Sequence, residues 1–174
     1  VHQSRKAYVV AFKECLAETL EELMPLDNFS LDYESGWDQE DSLETILAKN
    51  LGKDIKYGHT SSGPHRADLK FLLGKIDASA FLSRGQQKIL VIAMKLAQAV
   101  LLKRLTNKRC VFLLDDLPAE LDSLNRAKVL NMLSSLGEQV FVTSIEKSQL
   151  YSALQNEKQL KLFHVEQGRI SSTQ

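Results

Sequence analysis

Apolar residues recur at spacings of three and four over residues 3–24, where Ala7, Val10, Ala11, Leu16, Leu20 and Leu23, with Tyr8 and Phe12, form a stripe. This pattern predicts an amphipathic helix ended by Pro25. Charges flank the stripe (Arg5, Lys6, Lys13, Glu14, Glu18, Glu21, Glu22), so the helix can pack on a core or on one partner helix; a coiled-coil arm needs more heptads than are present. Alternation at 29–33 predicts a strand, and Leu43, Ile46 and Leu47 predict a helix over 41–49. Ser61-Ser62-Gly63-Pro64 marks a turn, because the residue before proline is driven from the helical region and glycine tolerates that geometry. A strand over 67–73 follows.

The second half repeats a helix and strand rhythm: helix 83–104, strand 110–114, helix 123–135, strand 139–143, helix 147–154, strand 161–165. Alternation with continuous apolar strands predicts an α/β class, with a parallel sheet covered on both faces. Residues 171–174 read as a frayed tail.

With 174 residues, the chain is long enough for one core of ordinary size. The longest apolar stretch, around 89–102, is broken by Lys95 and Gln98, which speaks against a membrane span, and the N-terminus lacks the layout of a signal peptide. Together with only two cysteines, Cys15 and Cys110, far apart in sequence, this predicts a reduced cytoplasmic setting and no structural disulfide. Acids and bases balance at 22 each, so no broad basic field announces nucleic acid, and composition neither requires nor excludes it. The first residue, Val1, fits a start inside a longer reading frame.

Candidate chemistry concentrates in two places. Ser83 and Gln86 have the S-x-x-Q spacing of a capping box, which by itself announces only a helix start. Gly85 in the first turn makes sense if something approaches the backbone closely, and the free amides there, with Arg84 and Lys88 nearby, suit a phosphate. Val111-Phe112-Leu113-Leu114 reads as a buried strand ending in Asp115-Asp116, and ligands of open α/β sheets sit beyond such strand ends. One carboxylate there can hold Mg²⁺ and its neighbour can orient or deprotonate a water attacking a γ-phosphate; alternatively the pair caps the next segment. A phosphate loop of the form G-x-x-x-x-G-K-[ST] is absent, since Gly52-Lys53 is followed by Asp54 and Gly74-Lys75 by Ile76. The chain therefore looks like the C-terminal portion of an ATPase.

Other positions carry weaker signals. His65 and Arg66 can face a phosphate or an acid such as Asp68, and an ion pair is the favoured reading. His2, His59 and His164 lack metal-ligand spacing, so no zinc site is expected. Lys103-Arg104 and Lys108-Arg109 flank a loop and can touch a DNA backbone, although a solvated helix end is favoured.

Leu82-Ser83-Arg84-Gly85-Gln86-Gln87 resembles the L-S-G-G-Q signature of ATP-binding cassette ATPases, Val111 to Asp116 resembles their Walker B strand, and Ala119-Glu120-Leu121-Asp122 their D-loop. The L-S-R-G-Q form, the Asp-Asp pair, Gly63-Pro64-His65-Arg66 and the V-E-x-G-x-I pattern from Val165 to Ile170 resemble the RecF family, a group related to structural-maintenance-of-chromosomes (SMC) proteins. The resemblance runs over nearly the whole chain. It implies the C-terminal lobe of a P-loop NTPase head over 58–174, carrying signature, Walker B and D-loop, with part of a helical arm or lid subdomain over 1–57. It also implies that Ser83, Gly85 and Gln86 contact the γ-phosphate of ATP held by a second protomer. Asp115 becomes the Mg²⁺ ligand, Asp116 the catalytic carboxylate, and Asp122 lies across a dimer interface near the opposite nucleotide. The implied function is ATP-dependent binding of single-stranded and gapped DNA by a homodimer, working with RecO and RecR to load RecA in recombinational repair and the SOS response. Without a phosphate loop the chain alone is expected to be inactive, and with one sheet face uncovered to be poorly soluble. Where transporter cassettes carry a switch histidine this chain has Thr143-Ser144, which argues against a transporter subunit and leaves open whether either residue senses the γ-phosphate or caps the strand. A non-catalytic DNA- or protein-interaction module is the remaining alternative.

Overall fold

The computed structural model describes residues 1–145 and 160–173, so the helix expected over 147–154 lies outside the described residues. By its contacts the chain forms two compact units, Val1–Lys108 and Arg109–Gln174.

The first unit is organised on a helix pair. Helix α1 (His2–Leu23) packs along the length of α4 (Arg84–Thr106). Val9, Phe12, Leu16, Leu20 and Leu23 of α1 are buried at helical spacing, as are Ile89, Leu90, Ala93, Leu96 and Ala97 of α4. Each large apolar side chain so buried contributes about 1.5–3 kcal/mol. Ala93 and Ala97, one turn apart and wholly inaccessible, put little bulk between the helices. The expected stripe is correct from Phe12 onward but starts on a different residue: Val9 is buried, while Val10 is 59% exposed.

Between these helices in chain order comes an antiparallel sheet of β1 (Phe29–Glu34), β2 (Asp68–Leu73) and the short β3 (Ile76–Asp77), in that order, with β1 and β2 aligned from Phe29↔Leu73 to Glu34↔Asp68. Helix α2 (Leu43–Tyr57) runs beyond the expected end at residue 49. Gly52 is tolerated within it, and the stop comes from Gly58, whose left-handed backbone (φ 70°) forms the C-cap. Asn50 donates to Ser62 Oγ (3.1 Å), and Asp54 accepts from both the amide and the hydroxyl of Ser61 (3.0 and 2.7 Å), tethering α2 to the turn before β2. That turn is a 3-10 segment, Pro64–Arg66. The Gly63 amide donates to Gly36 O (2.9 Å), and Gly36 has φ 88°, so the two loops meet backbone to backbone. The short helix α3 (Ala78–Phe81) then leads into α4.

The second unit pairs β4 (Val111–Leu114) with β5 (Gln139–Val142) in parallel, Val111↔Gln139 through Leu114↔Val142. The one-turn helix α5 (Leu117–Glu120) and α6 (Ser123–Leu136) connect them, with Val129, Leu130, Met132 and Leu133 of α6 buried. Burial of β4 and β5 agrees with the expectation that one sheet face is left uncovered. Val111 is 57% and Leu113 78% exposed, and Phe141, paired with Leu113, is 50% exposed, while Phe112 and Leu114 on the other face are half-buried. One face of the pair is covered and the other is bare.

The C-terminal strands depart from the expected parallel arrangement. β6 (Leu162–Glu166) and β7 (Arg169–Thr173) form an antiparallel hairpin. Its two-residue loop, Gln167-Gly168, has positive φ at both positions (47° and 74°), the geometry that matches strand twist. Residues 171–173 are therefore paired strand, not a frayed tail. No helix among the described residues is long and apolar enough to cross a membrane.

A Cβ at Gly36 would lie 2.3 Å from Gly63 O and 2.7 Å from Ala67 N, whereas one at Gly52 meets nothing within 4 Å. Gly36→Ala is therefore expected to destabilise the chain by about 1–3 kcal/mol in urea unfolding. Gly52→Ala, in the same assay, stabilises it by about 0.5–1 kcal/mol.

Candidate functional site

The start of α4 is held rigidly and faces outward. Asp77 caps α3 by accepting from the amide and the hydroxyl of Ser79 (2.8 and 2.5 Å), bonds that lower its pKa, the Ser79 hydroxyl most. Leu82, only 5% exposed, anchors the following turn. Gln87 reaches back from the first turn of α4, its Nε2 donating to Ser79 O (2.8 Å) and Leu82 O (3.0 Å). The expected capping box is present: Ser83 Oγ accepts from the Gln86 amide (3.3 Å), and Gln86 Oε1 from the Ser83 amide (2.9 Å).

Ser83, Arg84, Gly85 and Gln86 are all exposed. The amides of Arg84 and Gly85 occupy positions that a helix leaves without an intrahelical acceptor, at the positive end of its dipole. A Cβ at Gly85 would meet nothing within 4 Å, so nothing inside the chain demands a glycine there. The arrangement can accept an anion brought to it from outside.

The carboxylate pair stands at the carboxyl end of β4, where β5 runs alongside. The Thr143 amide donates to Leu114 O (2.9 Å), extending the parallel ladder one step past β5. Thr143 Oγ1 accepts from the Asp116 amide (2.8 Å) and donates to Asp115 Oδ1 (2.5 Å). Asp116 takes a left-handed backbone (φ 45°, ψ 45°) that turns the chain out of β4 into α5, and Leu117 and Leu121 are buried beyond it. Asp122 is the N-cap of α6: its Oδ1 accepts from the Asn125 amide (2.9 Å) and its Oδ2 from Asn125 Nδ2 (2.7 Å). These bonds, the backbone one most, hold its carboxyl below the ordinary aspartate range.

Thus Ser83, Gly85 and Gln86 come together in the first unit, and Asp115, Asp116 and Thr143 in the second, with Asp122 at the next helix start. Among the described residues no cluster of three or more acidic, histidine or cysteine side chains could hold a metal. The pair nonetheless offers the oxygen donors that suit Mg²⁺, which uses one or two carboxylates and completes its shell with water and phosphate. Thr143's contact with both aspartates was not legible from sequence, because no motif spacing links residues separated by a whole helix; its place after an apolar strand running parallel to β4 was the available clue.

The expected pairing of His65 or Arg66 with Asp68 does not form. His65 Nε2 bonds Thr60 O (2.9 Å), and Asp68 instead meets Lys70 (3.6 Å), two residues along on the same face of β2. The basic pairs near the end of α4 are partly engaged. Arg104 bonds Glu18 (2.5 Å), and Arg109 bonds the Gly137 carbonyl and Glu138 (3.3 Å).

The sequence model of the RecF/RecN/SMC N terminal domain family matches residues 1–171. The DNA replication and repair protein RecF of Pseudomonas savastanoi pv. phaseolicola (strain 1448A / Race 6) and that of Pseudomonas fluorescens (strain SBW25) are each 43% identical to this chain over 173 residues, 99% of it and 47% of theirs. The chain spans about half the length of these curated relatives. Among solved structures it is similar to the recombination mediator protein RecF-ATPrS in the RecFOR pathway, with a TM-score of 0.72 and 28% identity over 97% of this chain and 45% of that one. It shares a fold with the SmcHead bound to the C-winged helix domain of ScpA, with a TM-score of 0.51 and 16% identity over 94% of this chain and 42% of that one.

The Asp122 cap carries a pH dependence. Because its folded pKa is depressed, its contribution is complete above the unfolded value near 3.8 and is lost as pH falls through the lower folded value. Asp122→Ala is expected to lower the melting temperature at neutral pH, and the gap from wild type should close under acid; an equal gap at both extremes would mean the cap is not what stabilises α6.

Proposed function

The chain belongs to the RecF/RecN/SMC N-terminal domain family, and on that premise we propose that it is the signature-and-carboxylate half of an ATP-dependent DNA replication and repair protein that dimerises around nucleotide. The observation that carries this reading is the carboxylate pair at the end of β4, beside a parallel neighbour that engages both aspartates. In an open α/β sheet that is the position from which ligands are met.

In this reading the exposed start of α4 meets the γ-phosphate of ATP held by a second protomer. The amides near Gly85, the Ser83 hydroxyl and the Gln86 side chain supply donors, and the helix dipole favours the negative charge. Gly85 stays a glycine because the phosphate, not this chain, comes close to its Cα. Asp115 holds Mg²⁺, which when bound neutralises charge on the β- and γ-phosphates. Asp116 orients the attacking water and accepts its proton. Asp122 lies near the opposite nucleotide across the dimer interface.

The phosphate loop belongs to polypeptide outside these residues, which also covers the bare face of β4 and β5. The chain alone then neither holds ATP tightly nor hydrolyses it. By role, residues 1–57 belong to an arm or lid and 58–174 to the head lobe, a division distinct from the two compact units. The complete protein acts in the cytoplasm, binds single-stranded and gapped DNA while ATP holds the dimer closed, and releases it on slow hydrolysis. With RecO and RecR it loads RecA in recombinational repair and the SOS response. Similarity over 99% of the chain to proteins described as DNA replication and repair protein RecF supports this assignment.

In the full-length protein Asp116→Asn is expected to retain ATP-driven dimerisation while slowing hydrolysis by about 100-fold or more, as loss of a positioned base does. Steady-state turnover combined with sedimentation reads both properties. Normal turnover would reassign the base.

A further inference from the structure

We propose that Thr143 is the positioning residue of the carboxylate pair, fixing Asp115 and Asp116 through its hydroxyl, and that it does not sense the γ-phosphate. This rests on the reading of Asp115 and Asp116 as the Mg²⁺ ligand and the base.

One residue of the β5 edge engages three consecutive residues of the β4 end. The Thr143 amide donates to Leu114 O (2.9 Å), the Asp116 amide donates to Thr143 Oγ1 (2.8 Å), and Thr143 Oγ1 donates to Asp115 Oδ1 (2.5 Å). A threonine hydroxyl has a single proton, and in this geometry it is directed at Asp115 Oδ1 while the oxygen accepts from the Asp116 amide, so no second proton is left for a phosphate oxygen. A phosphate sensor must donate, so in this arrangement Thr143 is not one.

Each of the two hydroxyl bonds corrects a weakness that the sequence creates. The terminal torsion of an aspartate is broad and roughly two-fold, so an exposed carboxylate turns freely unless one oxygen is held. Asp115 is exposed, and Thr143 holds Oδ1. Asp116 is a non-glycine residue at φ 45°, a conformation that persists only where its surroundings enforce it. The bond from its amide to Thr143 enforces it on one side, and buried Leu117 does so on the other. The backbone bond from Thr143 to Leu114 already continues the ladder and does not need the side chain. The hydroxyl can thus be removed with the strand pairing left in place, which separates positioning from a purely structural cap.

The test uses the full-length protein with Thr143→Val, Thr143→Ser and Asp116→Asn. Four quantities are measured: kcat, the KM for ATP, the Mg²⁺ concentration for half-maximal ATP-driven dimerisation, and the melting temperature. Partners that orient metal-ligating carboxylates are worth about 10- to 100-fold in affinity or activity. Thr143→Val should therefore lower kcat and raise the Mg²⁺ requirement within that range, with the KM for ATP nearly unchanged, and Thr143→Ser should restore both. Should the valine variant not fold, Thr143→Cys, with only a weak S–H donor, carries the same expectation. Wild-type kcat and Mg²⁺ requirement in Thr143→Val would overturn the proposal. So would a defect confined to the KM for ATP, the mark of a phosphate contact. Slow turnover in Asp116→Asn with unaltered Thr143→Val would sink the role of Thr143 alone. Normal turnover in Asp116→Asn would sink the reading of the pair on which it rests.

Discussion

Parallel strands with apolar side chains on both faces need cover on both, and β4 and β5 have it on one. The constraint is physical: the chain presents Val111, Leu113 and Phe141 as a contiguous bare face, next to the strand end that bears Asp115 and Asp116. Burying them elsewhere is worth about 1.5–3 kcal/mol for each large side chain. In the proposed reading polypeptide outside these residues supplies that cover, and the chain spans about half the length of its RecF relatives.

The other unit solves a different problem. A helix start can serve as a phosphate site only if the helix is held still, and α4 is held along its length by α1 and at its first turn by Gln87. The chain spends its core on that pairing, with Ala93 and Ala97 inaccessible between the helices, and leaves Ser83 to Gln86 in solvent. The two units share a strategy: buried apolar side chains fix the backbone, and the polar groups just beyond the end of the element are left available.

Local signals were the legible ones. The capping box at Ser83 and Gln86, the helix stop at Pro25 and the Asp-Asp strand end all rest on residues within a few positions of each other, and all appear where expected. Contacts between distant segments were not legible. The meeting of Gly36 with Gly63, the swap of Lys70 for Arg66 or His65 as partner of Asp68, and the bridge from Thr143 to both aspartates depend on which strands become neighbours. The bare sheet face was legible only through the resemblance to a longer ATPase head. Val111 to Leu114 carries the composition of a strand buried on both faces, and composition says nothing about whether the covering elements lie in the same chain. The run of α2 past residue 49 is a smaller case, in which tethers from Asn50 and Asp54 outweigh the cost of Gly52.

The central claim is that the start of α4 completes a nucleotide site belonging to another protomer. Sedimentation of the full-length protein with and without ATP and Mg²⁺, for wild type and Ser83→Arg, tests it most directly. An ATP-dependent dimer that the substitution abolishes, while ATP binding by the monomer survives, is the expected result. Equal dimerisation by both proteins would contradict it, and Ser83 to Gln86 would then be a helix cap and nothing more.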